Sequence, residues 1–236
     1  QRTAELNRAN RDLAQFANVA SHDLKAPLRG ITHLTNWIKD DLGENIADEV
    51  RNNLNRLETR VKNMDALIQG ILEYSRAGEN SLVEKTIKVD ILIHEILDFI
   101  GAADDVDMEI KPEMPVFTTD SIKLSQVFSN LISNAIKHNS SANKELVISS
   151  QRKGEFYEFT VADNGPGIAP EYHEKIFQMF QTLQARDKFE NTGVGLPIVK
   201  KLVEDVNGSI RVESVGEGGG TAFVFLWPAT FENAKR

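Results

Sequence analysis

The chain has 236 residues, 41% apolar and 26% charged, an ordinary globular composition with room for one large domain or two small ones. Its formal net charge of −8 argues against a nucleic-acid partner, because phosphate binding needs clustered Lys and Arg. The absence of Cys excludes disulfides and thiolate metal sites and fits a reducing compartment; a cytoplasmic setting is expected, with the full-length protein either soluble or membrane-anchored through missing regions. No apolar run is long enough to cross a bilayer, and no signal-peptide pattern opens the chain. Gln1 begins inside a polar helical pattern, so the chain reads as a piece of a longer protein whose upstream region is missing.

From residue 1 to about residue 40, apolar or small residues recur at Leu13, Ala17, Ala20, Leu24, Pro27, Ile31, Leu34 and Ile38. The steps alternate between four and three, the rhythm of a packed helix. A second run repeats it at Val50, Leu54, Leu57, Val61, Met64, Ile68 and Ile71, after a turn-like stretch at Asp41–Asn45. Two such helices make a hairpin, and one hairpin buries only a narrow stripe. A second copy is the natural partner, so a dimeric four-helix bundle is expected. A generic coiled coil would show the same rhythm, but Pro27 sets this one apart. Inside a helix Pro removes a hydrogen bond and costs about 3 kcal/mol, which a plain spacer has no reason to carry.

The polar stretch Ser75–Ser81 reads as a linker, after which the texture changes. Lys85–Val89 alternates like a strand. Asp90–Ile100 reads as a helix capped by Asp90 and stopped by Gly101. Ser121–His138 reads as a longer helix, and Leu146–Ser150 and Phe156–Val161 as strands. A short helix at Pro197–Val206 is followed by strands at Ser209–Ser214 and Thr221–Trp227. Strands mixed with non-adjacent helices predict an α+β sandwich with helices on one face of a mixed sheet. The expected domains are a helical hairpin at 1–78, a linker at 79–84 and a second domain at 85–236.

Five segments carry residues suited to chemistry. In Ala20–Arg29, His22 lies midway between seam positions and faces solvent. A neutral imidazole there has a free ring nitrogen able to act as a nucleophile, and Asp23 can hold the other ring N–H. In Asn130–Asn139, Asn130 and Asn134 stack on one helix face, with Lys137 on much the same side. Amide oxygens can help complete a Mg²⁺ shell, and the lysine offers charge to phosphate. Asp163-Asn164-Gly165-Pro166-Gly167-Ile168 follows a strand. Its carboxylate can accept from an adenine amino group, and its glycines allow close backbone approach. Gly193-Val194-Gly195-Leu196 opens a helix, and Gly216–Thr221 precedes the last strand; glycines before a helix N-terminus suit phosphate. Singly, these segments would pass as a surface histidine, a solvated helix face and an ordinary turn. The glycine segments match neither a Walker motif nor a Rossmann fingerprint.

Taken in order, these segments resemble the sensor histidine kinase family over nearly the whole chain. Ala20–Arg29 is similar to its H box, in the form of the phytochrome and PAS-linked kinases. Asn130–His138 resembles the N box, Asp163–Ile168 the G1 box, Ile176–Phe180 the F box, Gly193–Leu196 the G2 box, and Gly218–Thr221 the last glycine-rich motif. The resemblance implies a helical phosphoacceptor hairpin followed by an α/β sandwich ATP-binding domain of the histidine kinase, gyrase and Hsp90 type.

It also implies ATP- and Mg²⁺-dependent autophosphorylation of His22, aided by Asp23, and transfer to an aspartate of a response-regulator receiver domain. Asn134 falls at the Mg²⁺ ligand, with Asn130 and Lys137 beside it, and Asp163 at the adenine-binding acid. Gly165, Gly167, Gly193, Gly195, Leu196 and Thr221 fall in the nucleotide loops. His138 stands where an aromatic often stacks on adenine, and Gln181–Thr192, with Arg186 and Lys188, resembles the ATP lid. Ala26 replaces the Thr or Asn that many members carry four residues after the histidine, which implies weak or absent phosphatase activity. The alternatives are a gyrase- or chaperone-type ATPase, which would lack an H box, and a nucleotide-binding dimeric scaffold without kinase activity.

Overall fold

The computed structural model describes residues 2–43, 47–76, 84–101, 106–182, 193–214, 216 and 218–230. The contacts gather into two compact units, one around a helical hairpin and one around a sheet.

The hairpin consists of α1 (Arg2–Leu42) and α2 (Asp48–Arg76). Its inner face is Ala17, Ser21, Leu28 and Thr35 on α1 against Val61, Ile68 and Leu72 on α2, with Leu28, Val61 and Ile68 forming one cluster. The expected α1 seam is corrected by about one residue. Leu24, Ile31, Leu34 and Ile38 are exposed, while Ser21, Leu28 and Thr35 face α2. The side chain of Leu13 lies outside the described residues.

The shift has a physical cause, since the sequence carries two neighbouring stripes and a two-helix hairpin can bury only one. The small residues Ala17, Ser21 and Thr35 take the inner stripe, and the buried Thr35 hydroxyl donates to the carbonyl of Ile31 at 2.8 Å. On α2 the expected series divides the same way. Val61 and Ile68 are buried, whereas Val50, Leu57, Met64 and Ile71, spaced by sevens, are exposed. Pro27 sits on the exposed side of α1 rather than on the inner seam, and helical structure continues past it to Leu42.

The second unit contains β1 (Glu84–Lys88), α3 (Val89–Ile100), β2 (Val106–Ile110), β3 (Val116–Asp120) and α4 (Ser121–His138). These precede β4 (Lys144–Lys153), β5 (Phe156–Asp163), α5 (Gly195–Asp205), β6 (Ser209–Glu213) and β7 (Thr221–Pro228). Five strands form a mixed sheet in the order β2-β4-β5-β7-β6, in which β2 and β4 run parallel and the other neighbours antiparallel. A separate antiparallel ribbon pairs β1 with β3. Strands β2 and β3 were not expected. Both are five residues long, and β2 alternates Val, Met and Ile with exposed Asp107 and Glu109, a weak signal. Asp90 lies in the first turn of α3 rather than capping it; the cap position is Lys88, and Gly101 ends the helix in the left-handed conformation.

The core lies between α4 and the sheet. Leu124, Val127, Phe128, Leu131, Ile132 and Ala135 of α4 are buried at helical spacing. Phe128 stands edge-on to Phe159 of β5 and Phe225 of β7, with ring centres 5.3 and 5.4 Å apart. Trp227 is fully buried and satisfies its indole N–H on the Thr119 hydroxyl at 2.7 Å. Lys123 of α4 pairs with Asp205 of α5 at 3.0 Å. This packing fixes the polar ends of α4, β5 and α5, where the candidate residues lie. Among the described residues no helix is long and apolar enough to cross a membrane.

Candidate functional site

His22 lies on α1 with its side chain 82% exposed, away from the inner seam of Ser21 and Leu28. Its Nδ1 is 3.2 Å from Asp23 Oδ1. With Nδ1–H donating to that carboxylate, the lone pair sits on Nε2, open to solvent. One turn on, Ala26 is exposed and offers no polar group. Lys25, between them, is held across the hairpin by Gln69 Oε1 at 2.8 Å.

On α4, Asn130 and Asn134 are half-buried and one turn apart. The Asn130 Nδ2 donates to the Gln126 carbonyl at 2.9 Å. Its Oδ1 lies against Gly195, the first residue of α5, where a Cβ would stand only 2.9 Å from it. Lys137 is exposed and His138 half-buried. Burial, and then the neighbouring Lys137 charge, push the His138 imidazole below its ordinary pKa, which favours the neutral ring.

Asp163 ends β5 directly opposite Thr221 of β7. Its Oδ1 accepts the Gly165 N–H at 2.8 Å, and the Thr221 backbone N–H also bonds the carboxyl. Burial nevertheless raises its pKa above the usual carboxylate value, with those two N–H groups opposing the rise. Asn164 anchors the loop from the other side. Its Oδ1 accepts from Asn139 Nδ2 at 2.7 Å and from the Glu145 N–H at 2.9 Å, and its Nδ2 donates to the Asn143 carbonyl at 2.9 Å. The end of α4, the start of β4 and the Asp163 loop are therefore tied together.

Gly165 and Gly167 lie in that loop, and the last glycine-rich motif folds directly onto it. A Cβ on Gly167 would stand 2.1 Å from the Gly216 carbonyl oxygen, and one on Gly220 would stand 2.3 Å from that of Asp163. Both glycines also have positive φ, +80° and +69°, so the approach and the backbone each require glycine. Asn130, Gly195 and Leu196 thus meet at the α4–α5 junction, while Asp163, Gly165, Gly167 and Thr221 meet where the two loops interlock. Gly193 accepts the Phe180 N–H at 2.9 Å. Of the F-box stretch, Ile176 is buried and Phe177 packs edge-on to Phe223 at 6.4 Å, which are packing roles. Residues 183–192 of the expected lid, including Arg186 and Lys188, and residues 77–83 of the expected linker lie outside the described residues.

Sequence reasoning missed Ser214, Asn139 and the structural part played by Asn164. Asn164 stood within a quoted motif. Ser214 carried no local signal, because its partners Ile168 and Gly220 are brought to it by sheet register.

Known proteins resemble this chain in sequence and in fold. Residues 119–230 match the family model described as histidine kinase-, DNA gyrase B- and HSP90-like ATPase. Residues 12–80 match the His Kinase A (phospho-acceptor) domain. The chain is 39% identical over 233 residues to cyanobacterial phytochrome B of Nostoc sp., covering 95% of this chain and 30% of that relative. It resembles the structure of full-length ShkA in complex with AMPPNP, with a TM-score of 0.69 and 21% identity over 93% of this chain and 46% of that one. It also resembles histidine kinase ThkA in complex with response regulator protein TrrA, with a TM-score of 0.66 and 23% identity over 99% of this chain and 67% of that one. The chain therefore couples a phosphoacceptor helical hairpin to an ATPase-type sandwich. It belongs to the sensor histidine kinases, and the phosphoacceptor match sets it apart from the gyrase and chaperone ATPases.

Proposed function

We propose that residues 85–236 bind ATP and that His22, on the hairpin of residues 1–78, takes its γ-phosphoryl group and passes it to an aspartate of a response-regulator receiver domain. The observation that carries this reading is the exposed imidazole of His22 with Nδ1 held by Asp23. Nε2 attacks phosphorus, the bond from phosphorus to the bridging oxygen breaks, and ADP leaves. Asp23 keeps the Nδ1 proton and stabilises the imidazolium as it forms. In the second step a receiver carboxylate oxygen forms the new bond to phosphorus and the phosphorus–nitrogen bond breaks. Pro27 of α1 serves as a hinge for these steps.

The adenine end of the nucleotide falls to Asp163, with Gly165, Gly167 and Thr221 shaping its pocket and the neutral His138 ring available to stack. Lys137 and the backbone at Gly193, Gly195 and Leu196 take the phosphates. The donor set fits Mg²⁺, which accepts one or two protein oxygens and fills its shell with phosphate and water. Asn134 would hold it, with Asn130 one turn away, where its Nδ2 donates to the Gln126 carbonyl. Bound there, the ion would offset negative charge on the phosphates.

The exposed series Leu24, Ile31 and Ile38 on α1, with Val50, Leu57, Met64 and Ile71 on α2, supports a homodimer closing a four-helix bundle. His33 and the 61%-exposed Trp37 share the outward side of α1 with His22 and suit the receiver partner. A scaffold without kinase activity is disfavoured by the intact Asn134, Asp163 and glycines together with the phospho-acceptor match.

The test is incubation with γ-labelled ATP and Mg²⁺. Label stable in base and lost in acid, and absent from a His22→Ala variant that still binds ATP, is expected. Label persisting in that variant would refute the assignment.

A further inference from the structure

The loop after Asp163 and the loop before Thr221 are built into each other. Gly218 N–H donates to the Pro166 carbonyl at 2.8 Å, and Gly220 N–H to the Gly165 carbonyl at 3.2 Å. The close approaches at Gly167 and Gly220 leave no room for a side chain between the two backbones. One side chain joins the loops from the flank, that of Ser214 just beyond β6. Its hydroxyl accepts the Ile168 N–H at 2.9 Å and donates to the Gly220 carbonyl at 2.6 Å.

We propose that Ser214 is a positioning residue for the nucleotide, its hydroxyl setting the place of the Asp163 carboxylate by clamping these two loops together. The inference rests on the reading of Asp163 as the adenine-binding acid. The carboxyl of Asp163 takes one backbone N–H from each side, Gly165 in its own loop and Thr221 on β7. Both bonds hold only while the loops stay in register. A single hydroxyl that donates to one loop and accepts from the other restrains their separation in both directions. Without it, the Ile168 N–H and the Gly220 carbonyl lose their shared partner, and the carboxylate is free to drift from the position that meets an adenine amino group. Among the described residues the partners of the Ser214 hydroxyl are Ile168 and Gly220, away from the residues of α4 and the start of α5 assigned to the triphosphate.

The experiment measures binding of a non-hydrolysable ATP analogue to the full chain by calorimetry, for wild type, Ser214→Ala, Ser214→Thr, Asp163→Asn and the Asp163→Asn/Ser214→Ala double variant. Loss of the hydroxyl is expected to weaken binding about tenfold, the effect of one well-placed hydrogen bond on a carboxylate. Ser214→Thr keeps the hydroxyl and stays within about threefold of wild type. In the Asp163→Asn background, adding Ser214→Ala costs less than about threefold more, because the group it positions has already been altered.

In labelling assays the KM for ATP rises in Ser214→Ala while the rate at saturating ATP changes little. Unchanged binding in Ser214→Ala, equal damage by Ala and Thr, or a full tenfold further loss in the double variant would each overturn the proposal. A wild-type chain that binds the analogue yet acquires no label on His22 would instead contradict the kinase reading, since binding needs no phosphoryl transfer. Asp163→Asn that binds as well as wild type would contradict the role given to Asp163 itself.

Discussion

Replacing Leu57 by Ala should weaken self-association by an amount that follows from its exposure. Leu57 is 41% exposed on the outer stripe of α2. Full burial of a leucine side chain is worth roughly 1.5–3 kcal/mol, so covering the exposed fraction in a bundle contributes about 1 kcal/mol. A two-fold dimer contains the residue twice, so truncation costs about 2 kcal/mol per dimer, or roughly thirtyfold in the dissociation constant. Sedimentation equilibrium of wild type and Leu57→Ala measures it directly. Val19→Ala serves as the control, because Val19 is 57% exposed yet lies about 100° round α1 from the expected stripe position Ala20. Equal dissociation constants for wild type and Leu57→Ala, or a larger effect from Val19→Ala, would refute the assignment of the outer stripe to the dimer contact.

Three further outcomes are expected. Asp163→Asn should lose ATP affinity yet raise the stability of the nucleotide-free chain at neutral pH. The folded pKa of Asp163 is raised above its reference value of 3.8, so its favourable contribution is complete below that value and is lost as pH rises through the folded pKa. Thermal melts of both proteins at pH 4 and pH 7 check the sign, and a variant less stable than wild type at pH 7 would contradict it. Gly220→Ala places a Cβ 2.3 Å from the Asp163 carbonyl oxygen at a φ of +69°. Left-handed strain and the forced shift together should cost roughly 2–4 kcal/mol and weaken ATP more than about tenfold. Unaltered melting and binding would show that the two loops are not interlocked. Ala26→Thr restores a hydroxyl one turn from His22 and should accelerate dephosphorylation of the phosphorylated regulator while leaving autophosphorylation nearly unchanged. A wild-type chain that already removes that phosphate quickly would refute the inference drawn from Ala26.

The elements legible in the sequence were those whose period and burial coincide. Ser121–His138 reads as a helix because Leu124, Val127, Phe128, Leu131 and Ile132 recur on one face and all reach the core. The β5 and β7 strands were legible because their apolar residues supply Phe159, Phe223, Phe225 and Trp227 to that core. The phase of α1 was not, because its largest apolar residues mark the outward stripe while Ser21 and Thr35 occupy the inward one. Periodicity reports that a face is apolar, not which neighbour covers it. The same limit applies at the site. His22, Asp163 and the glycines announce themselves by residue type in a local pattern. Ser214 and Asn139 act through partners far away in sequence, Ile168 and Asn164, which strand register and the end of α4 bring to them.

The most direct test of the central claim is where phosphorus attaches. The chain, with ¹⁵N-labelled histidine, is phosphorylated by ATP and Mg²⁺ and the phosphorus–nitrogen coupling is read by NMR. Asp23 holds Nδ1 of His22, so phosphorus is predicted on Nε2 of that residue alone. Phosphorus on Nδ1, on another histidine, or on no histidine would contradict the account.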